Sequence, residues 1–109
     1  MDERTRRVGE NEALFRGVNE QVQGLNRTFL VQGTMRIVCE CGEQGCIEQI
    51  ELQPAAYETM RADATLFAVK PGHDAPDLET VVERNAEYWV VRKDRGVPER
   101  LARETDPRA

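Results

Sequence analysis

Three cysteines fall within eight residues, Cys39-Glu40-Cys41-Gly42-Glu43-Gln44-Gly45-Cys46, and the chain has no others. Thiolate sulfur is a soft ligand, and zinc takes four donors in a tetrahedron, most often thiolates and imidazoles. Cys39 and Cys46 flank a tight turn and Cys41 projects from within it, so the three sulfurs can converge with no long loop to close. Gly42 and Gly45 supply the unusual backbone angles that such a knuckle demands. One residue separates Cys39 from Cys41, against roughly two to four in ordinary fingers, so this is a knuckle of non-standard spacing. The fourth ligand must come from elsewhere. His73 is the only histidine of the chain. It follows Pro71-Gly72 at the end of a predicted buried strand, and antiparallel pairing of that strand beside the one leading to Cys39 would bring its imidazole to the knuckle. Glu40, Glu43, Glu48, Asp74 or a water are the other donors the residues leave open.

Other chemistries fit less well. Three cysteines and a histidine also hold iron–sulfur clusters, but Cys46 is followed by Ile47-Glu48, not by the Cys-Asp-Gly-Ser-His stretch of the CDGSH-type proteins. Nucleophilic catalysis by Cys41 beside His73 would use one thiol and leave two unexplained. A phosphate-binding glycine loop, a His-Glu-x-x-His pair and a second histidine are all missing from the sequence. A metal-dependent hydrolase would need an open coordination position. The expectation is therefore a protein that is not an enzyme, with one Zn2+ per chain. If the cysteines are instead incidental, three free thiols in one exposed turn are an oxidation liability. That same liability supports an alternative role, a thiol-responsive sensor that releases zinc when its cysteines are oxidised.

The elements that must position these residues can be read from periodicity. From Val8, apolar residues recur at Phe15, Val18, Val22, Leu25 and Phe29, the seam of an amphipathic helix ending near Phe29 or Leu30, with Gly33 as its stop signal. The helix either packs on the chain's own sheet or pairs with a second copy, Asn11 then fixing the register. Met35, Ile37 and Cys39 alternate as a strand that enters the knuckle, and Ile50 and Leu52 alternate on the returning strand. Pro54 opens a short helix through Tyr57 and Met60. Leu66-Phe67-Ala68-Val69 reads as a buried strand, and Val81-Val82 with Tyr88-Trp89-Val90-Val91 as a hairpin. Residues from Pro98 to Glu104 add a terminal helical turn or two.

The chain has 109 residues and a net charge of −5, enough for one modest core. Residues 1–7 are read as a flexible N-terminus, 8–104 as a single zinc-stapled domain, and 105–109 as a flexible C-terminus. Leu, Ile, Val and Phe make up 24 of the 109 residues, a thin core that benefits from a staple. Residues 31–70, which contain the knuckle, carry six acids and three bases, which argues against lying on a phosphate backbone. Arg4, Arg6 and Arg7 are the one basic cluster. With no long apolar run and no signal-like segment, the expected compartment is the cytoplasm, where thiols stay reduced. The expected partner is another protein, with no nucleic acid and no membrane, and with homodimerisation through the N-terminal helix as one form of it.

Several stretches carry a resemblance across nearly the whole chain. They are Asn11-Glu12-Ala13-Leu14-Phe15-Arg16, Val18-Asn19-Glu20, Val38-Cys39-Glu40-Cys41-Gly42 with Cys46, Glu48-Gln49-Ile50-Glu51-Leu52, Arg61-Ala62-Asp63, Pro71-Gly72-His73 and Val81-Val82-Glu83-Arg84. In these the chain resembles a family of short, uncharacterised actinobacterial proteins. The resemblance brings no activity. It implies that the cysteine knuckle and the Pro-Gly-His turn occur together, which favours His73 as the fourth ligand. The whole reading predicts an α+β fold: an N-terminal amphipathic helix packed on a small, mainly antiparallel sheet with a zinc knuckle.

Overall fold

The computed structural model describes residues 2–28, 33–43 and 45–108, with residues 25–28 by backbone alone. Its long helix α1 spans Glu3–Thr28. The helix starts before Val8 because Asp2 caps it: Asp2 Oδ1 accepts the Thr5 N–H at 2.7 Å, satisfying an otherwise orphaned donor of the first turn. Arg6 then braces that turn between Glu3 and Glu10. The expected helix end near Phe29 or Leu30 lies outside the described residues.

Two antiparallel sheets follow. Strand β1 (Met35–Val38) pairs with β2 (Gln49–Leu52) in the register Met35↔Leu52 and Ile37↔Ile50. Helix α2 (Pro54–Arg61) begins at proline without a side-chain cap on Gln53. Strands β3 (Leu66–Val69), β4 (Glu79–Arg84) and β5 (Trp89–Lys93) form the second sheet in the order β3-β5-β4, with an irregularity between Val81 and Glu83. Helix α3 (Val97–Glu104) closes the chain. The fold is thus α+β, a helix on small antiparallel sheets, with every predicted element present. Among the described residues no helix is long and apolar enough to cross a membrane.

Apolar residues fill two larger clusters and a small third one of Val8, Ala75 and Leu78. Met35, Ile37, Ile50, Leu52, Tyr57, Met60, Ala68 and Val90 form one, and Phe67, Val69, Val91 and Ala102 form the other together with Cys39 and Cys41. The alternation along β1 that predicted an inward Met35–Ile37–Cys39 face holds.

The face that α1 buries is not the predicted one. Val8, Glu12, Arg16, Asn19 and Gln23 are buried, at spacings of three and four. Of the expected seam, Val8 is buried, Phe15 and Val22 are half-buried and Val18 is 40% exposed. Leu25 and Phe29 lie outside the described side chains. The surface that α1 covers is itself polar, which explains the reversal. Asn19 pairs its amide with both backbone groups of Val38, accepting its N–H at 2.8 Å and donating to its carbonyl at 2.9 Å. Arg16 donates to the Ala64 and Ala102 carbonyls at 2.7 and 2.8 Å while stacking 4.6 Å over Phe67. A leucine at either place would leave those carbonyls without partners, at about 1–3 kcal/mol each.

Around α1 the buried ionisable groups are three acids, Glu12, Glu40 and Glu79, and three bases, Arg16, Arg61 and Lys93. Lys93 on β5 sits between Glu12 and Glu79, 2.9 Å from each. Burial raises the Glu12 carboxyl to about 8 against the pull of Lys93, and Glu79 adds to the rise. Burial works against the Lys93 ammonium, but the two carboxylates outweigh it and its pKa is raised. At the C-terminus, in the stretch expected to be loose, Arg108 bridges Glu20 of α1 and Glu58 of α2.

Candidate metal centre

The knuckle is a continuation of the β1–β2 hairpin. Cys39 N–H donates to the Glu48 carbonyl at 2.9 Å, one step beyond the ladder, and Cys46 N–H folds back onto the Glu43 carbonyl at 3.1 Å. Between them Gly42 and Gly45 adopt φ of 77° and 88°, the left-handed region where a Cβ is costly. At Gly42 space forbids a side chain as well: a Cβ would lie 2.8 Å from Val8 Cγ1 and 3.0 Å from the Val8 carbonyl oxygen. Helix α1 therefore rests directly on the knuckle. Asn11, expected at a dimer seam, instead donates its side-chain amide to the Gly42 carbonyl at 3.0 Å.

His73 arrives from the other sheet. Beyond β3 its N–H donates to the Lys70 carbonyl at 2.9 Å, closing the turn that Gly72 makes with φ of 87°. The expected antiparallel ladder between β3 and β1 does not form, since the two strands belong to separate sheets. They are joined instead past the end of β1, where the Glu40 N–H donates to the Ala68 carbonyl at 2.9 Å. The Lys70 N–H donates to Cys39 Sγ at 3.2 Å. Both contacts bring the Pro-Gly-His turn beside the cysteines by a shorter route than the one predicted.

The four predicted ligands converge. The sulfurs of Cys39, Cys41 and Cys46 and a ring nitrogen of His73 all lie within 4.8 Å of one another. His73 Nδ1 is 3.7 Å from Cys39 Sγ and 3.8 Å from Cys46 Sγ. A tetrahedral zinc with ordinary bond lengths places sulfur and nitrogen ligands about 3.6 Å apart. Both distances match that edge, and the four groups lie close enough to hold a metal ion. None of the carboxylates joins it among the described residues. Glu40 in particular is turned away and fully buried, where Arg61 donates to it at 2.6 Å, Asn19 at 2.7 Å and the Ala68 N–H at 3.0 Å.

The environment favours a thiolate at one of the three sulfurs, Cys41. Each sulfur accepts one backbone N–H, from Lys70 onto Cys39, from Glu43 onto Cys41 and from Glu48 onto Cys46. The Cys39 thiol donates to Cys41, which with burial pushes Cys39 up and holds Cys41 down to about 5. Burial pushes Cys46 up. The first proton therefore leaves the cluster at Cys41, and an arriving cation meets a thiolate whose charge would draw it in and help displace the remaining protons.

Three residues of the site were not read from the sequence: Glu40 as the knuckle's anchor, Asn11 as its cap and Lys70 as a backbone donor. A signal existed for the first. In a strand-like Cys-x-Cys the middle side chain points opposite to the two sulfurs, into the fold. Comparison of the chain with models of protein families, with curated proteins and with solved structures gives no match.

Proposed function

We propose that this chain is a small zinc-binding regulatory or accessory protein that works by contact with another protein, its zinc held in a closed structural site by Cys39, Cys41, Cys46 and His73. The observation that carries the reading is the convergence of four soft donor atoms within 4.8 Å. Four protein ligands complete the tetrahedron zinc prefers, and a filled tetrahedron leaves no position for a reactive water. The site is thus a staple, without turnover. It ties the β1–β2 hairpin to the turn after β3 and, through Gly42, to α1.

A contact role is supported by what α1 leaves outside. Leu14 is 62% exposed and Val18, one turn on, is 40% exposed. They give the helix an apolar outer strip that self-association or another protein would cover. The acidic knuckle segment speaks against nucleic acid as the partner.

Elemental analysis of protein purified without chelator or nickel tests the zinc reading. One zinc per chain in the wild type, lost or held more loosely in His73→Ala, is expected. Absence of metal from both proteins overturns it.

A further inference from the structure

The three sulfurs of the knuckle are unequally placed. Cys39 and Cys41 are 1% and 2% exposed, whereas Cys46 is only half-buried. Around Cys46 the residues Glu43, Gly45, Ile47 and Glu48 are exposed, and Gly45 has open space where a side chain would stand. Cys39 is fixed through its own N–H on Glu48, through the Lys70 N–H on its sulfur, and by packing with Phe67 and Val69. Cys41 is followed at once by Gly42, which is wedged under α1 and bonded to Asn11. A small oxidant diffusing in from solvent therefore meets Cys46 first, on the arm of the knuckle that faces solvent.

We propose that Cys46 is a modification site for peroxide-class oxidants, and that its oxidation closes a disulfide to Cys41 and expels the metal. The inference rests on the zinc reading above and names the regulation of that same centre. In the first step the Cys46 thiolate attacks one oxygen of hydrogen peroxide. The O–O bond breaks, and the departing oxygen leaves as water after taking protons, so Cys46 becomes a sulfenic acid. In the second step the Cys41 thiolate attacks the Cys46 sulfur. The S–O bond breaks, the oxygen leaves as a second water with a proton from solvent, and the S–S bond forms. Two thiolates have lost two electrons, and one peroxide has become two waters. Cys41 is the resolving thiol because it shares with Cys46 a glycine-bearing loop already folded back by the Cys46 N–H on Glu43. The metal keeps only Cys39 and His73 and is released.

The test treats zinc-loaded protein of measured metal content with hydrogen peroxide. A chromophoric chelator reads release, dimedone traps the sulfenic acid, and peptide mass analysis maps the disulfide. Release in step with a dimedone adduct on Cys46, a Cys41–Cys46 disulfide, an alkylatable Cys39 and rebinding after thiol reduction are expected. Cys46→Ser, if it retains metal, is expected to release it roughly tenfold more slowly. If that variant fails to fold, the dimedone map of the wild type decides alone. First adducts on Cys39 or Cys41, a Cys39–Cys46 disulfide, or metal retained with all three thiols reduced would overturn the proposal. A metal-free preparation defeats the zinc reading instead, and the order of thiol oxidation is then read on the same protein and judged by the same adducts.

Discussion

The start and the middle of α1 are held to the rest of the molecule by opposite means. Near its start the helix lies on the knuckle, where four donor groups gathered from residues 39–46 and 73 stand close enough for a metal ion to join them. Along its middle it lies on ionised side chains drawn one at a time from distant elements: Lys93 and Glu79 from the second sheet, Arg61 from α2 and Glu40 from the knuckle. The first arrangement is conditional, since the strength it could lend would arrive and leave with a metal. The second is always present and adds little net stability, because buried pairs recover roughly what their desolvation costs. What the ionic region offers is intolerance of error, since removing one member leaves another charge buried and alone.

Chelation should separate the two regions most sharply. Zinc-finger peptides gain about 10–16 kcal/mol from their metal at pH 7, and whole domains rest on about 5–15 kcal/mol. Treatment with a strong chelator, or Cys41→Ser, is therefore expected to abolish the cooperative melting transition seen by circular dichroism. An unchanged transition would mean that the ionic region alone carries the fold. Next in size is Lys93→Met, which leaves Glu12 and Glu79 buried without their cation. Its expected cost is about 3–5 kcal/mol in denaturant melts, with metal content unchanged. A cost near zero would show that those carboxylates shed their charge without penalty.

The pH dependence sharpens the contrast further. Glu12 has its folded pKa raised to about 8 from an ordinary 4.5. Stability associated with it is complete below about pH 4.5 and falls as pH rises through 8, because the folded state holds a proton that the unfolded state has already lost. Glu12→Gln leaves Lys93 and Glu79 as a balanced pair and removes that loss. Its stability relative to wild type should thus climb between pH 6 and 8, by at most about 1.4 kcal/mol per unit. A constant difference across that range would rule out a raised Glu12.

Asn11→Ala is a smaller intervention at the seam between the regions. It should cost about 1 kcal/mol with metal bound, and close to nothing once chelation has released the knuckle. An equal cost in both states would mean that Gly42 stays in place without metal. Smallest is Leu14→Glu, expected to change stability by no more than about 0.5 kcal/mol. Sedimentation of wild type and variant shows whether the outer strip of α1 brings two copies together.

The contrast also explains what could be read in advance. Cys39, Cys41, Cys46 and His73 were legible because metal chemistry restricts the residue types and the knuckle keeps three of them close in sequence. Strands β1 and β2 were legible because their alternation faces an apolar core, and β3 because its short apolar run is buried at Phe67, Ala68 and Val69. The buried face of α1 was not. Phe15, Val18 and Val22 offer the more regular apolar spacing, and a hydrophobic pattern cannot report that Arg16 and Asn19 will meet backbone carbonyls and a carboxylate contributed by residues 38, 40, 64 and 102. Charged and amide side chains on a helix ordinarily mark its wet face. Here their partners come from elements separated by many residues, and no local window contains the pairings.

Glu40 has a bearing on how this chain can change its length. Past the end of β1 the Cys39 and Cys41 sulfurs lie together toward His73, while the Glu40 carboxylate meets Arg61 and Asn19. Inserting a residue between the cysteines to give the wider interval of ordinary fingers would reverse one of those directions. Either a thiol would turn away from the metal or the carboxylate would leave Arg61 stranded. The narrow spacing is thus a reading frame in three dimensions, and an insertion or deletion at this point would need compensation at two distant places at once.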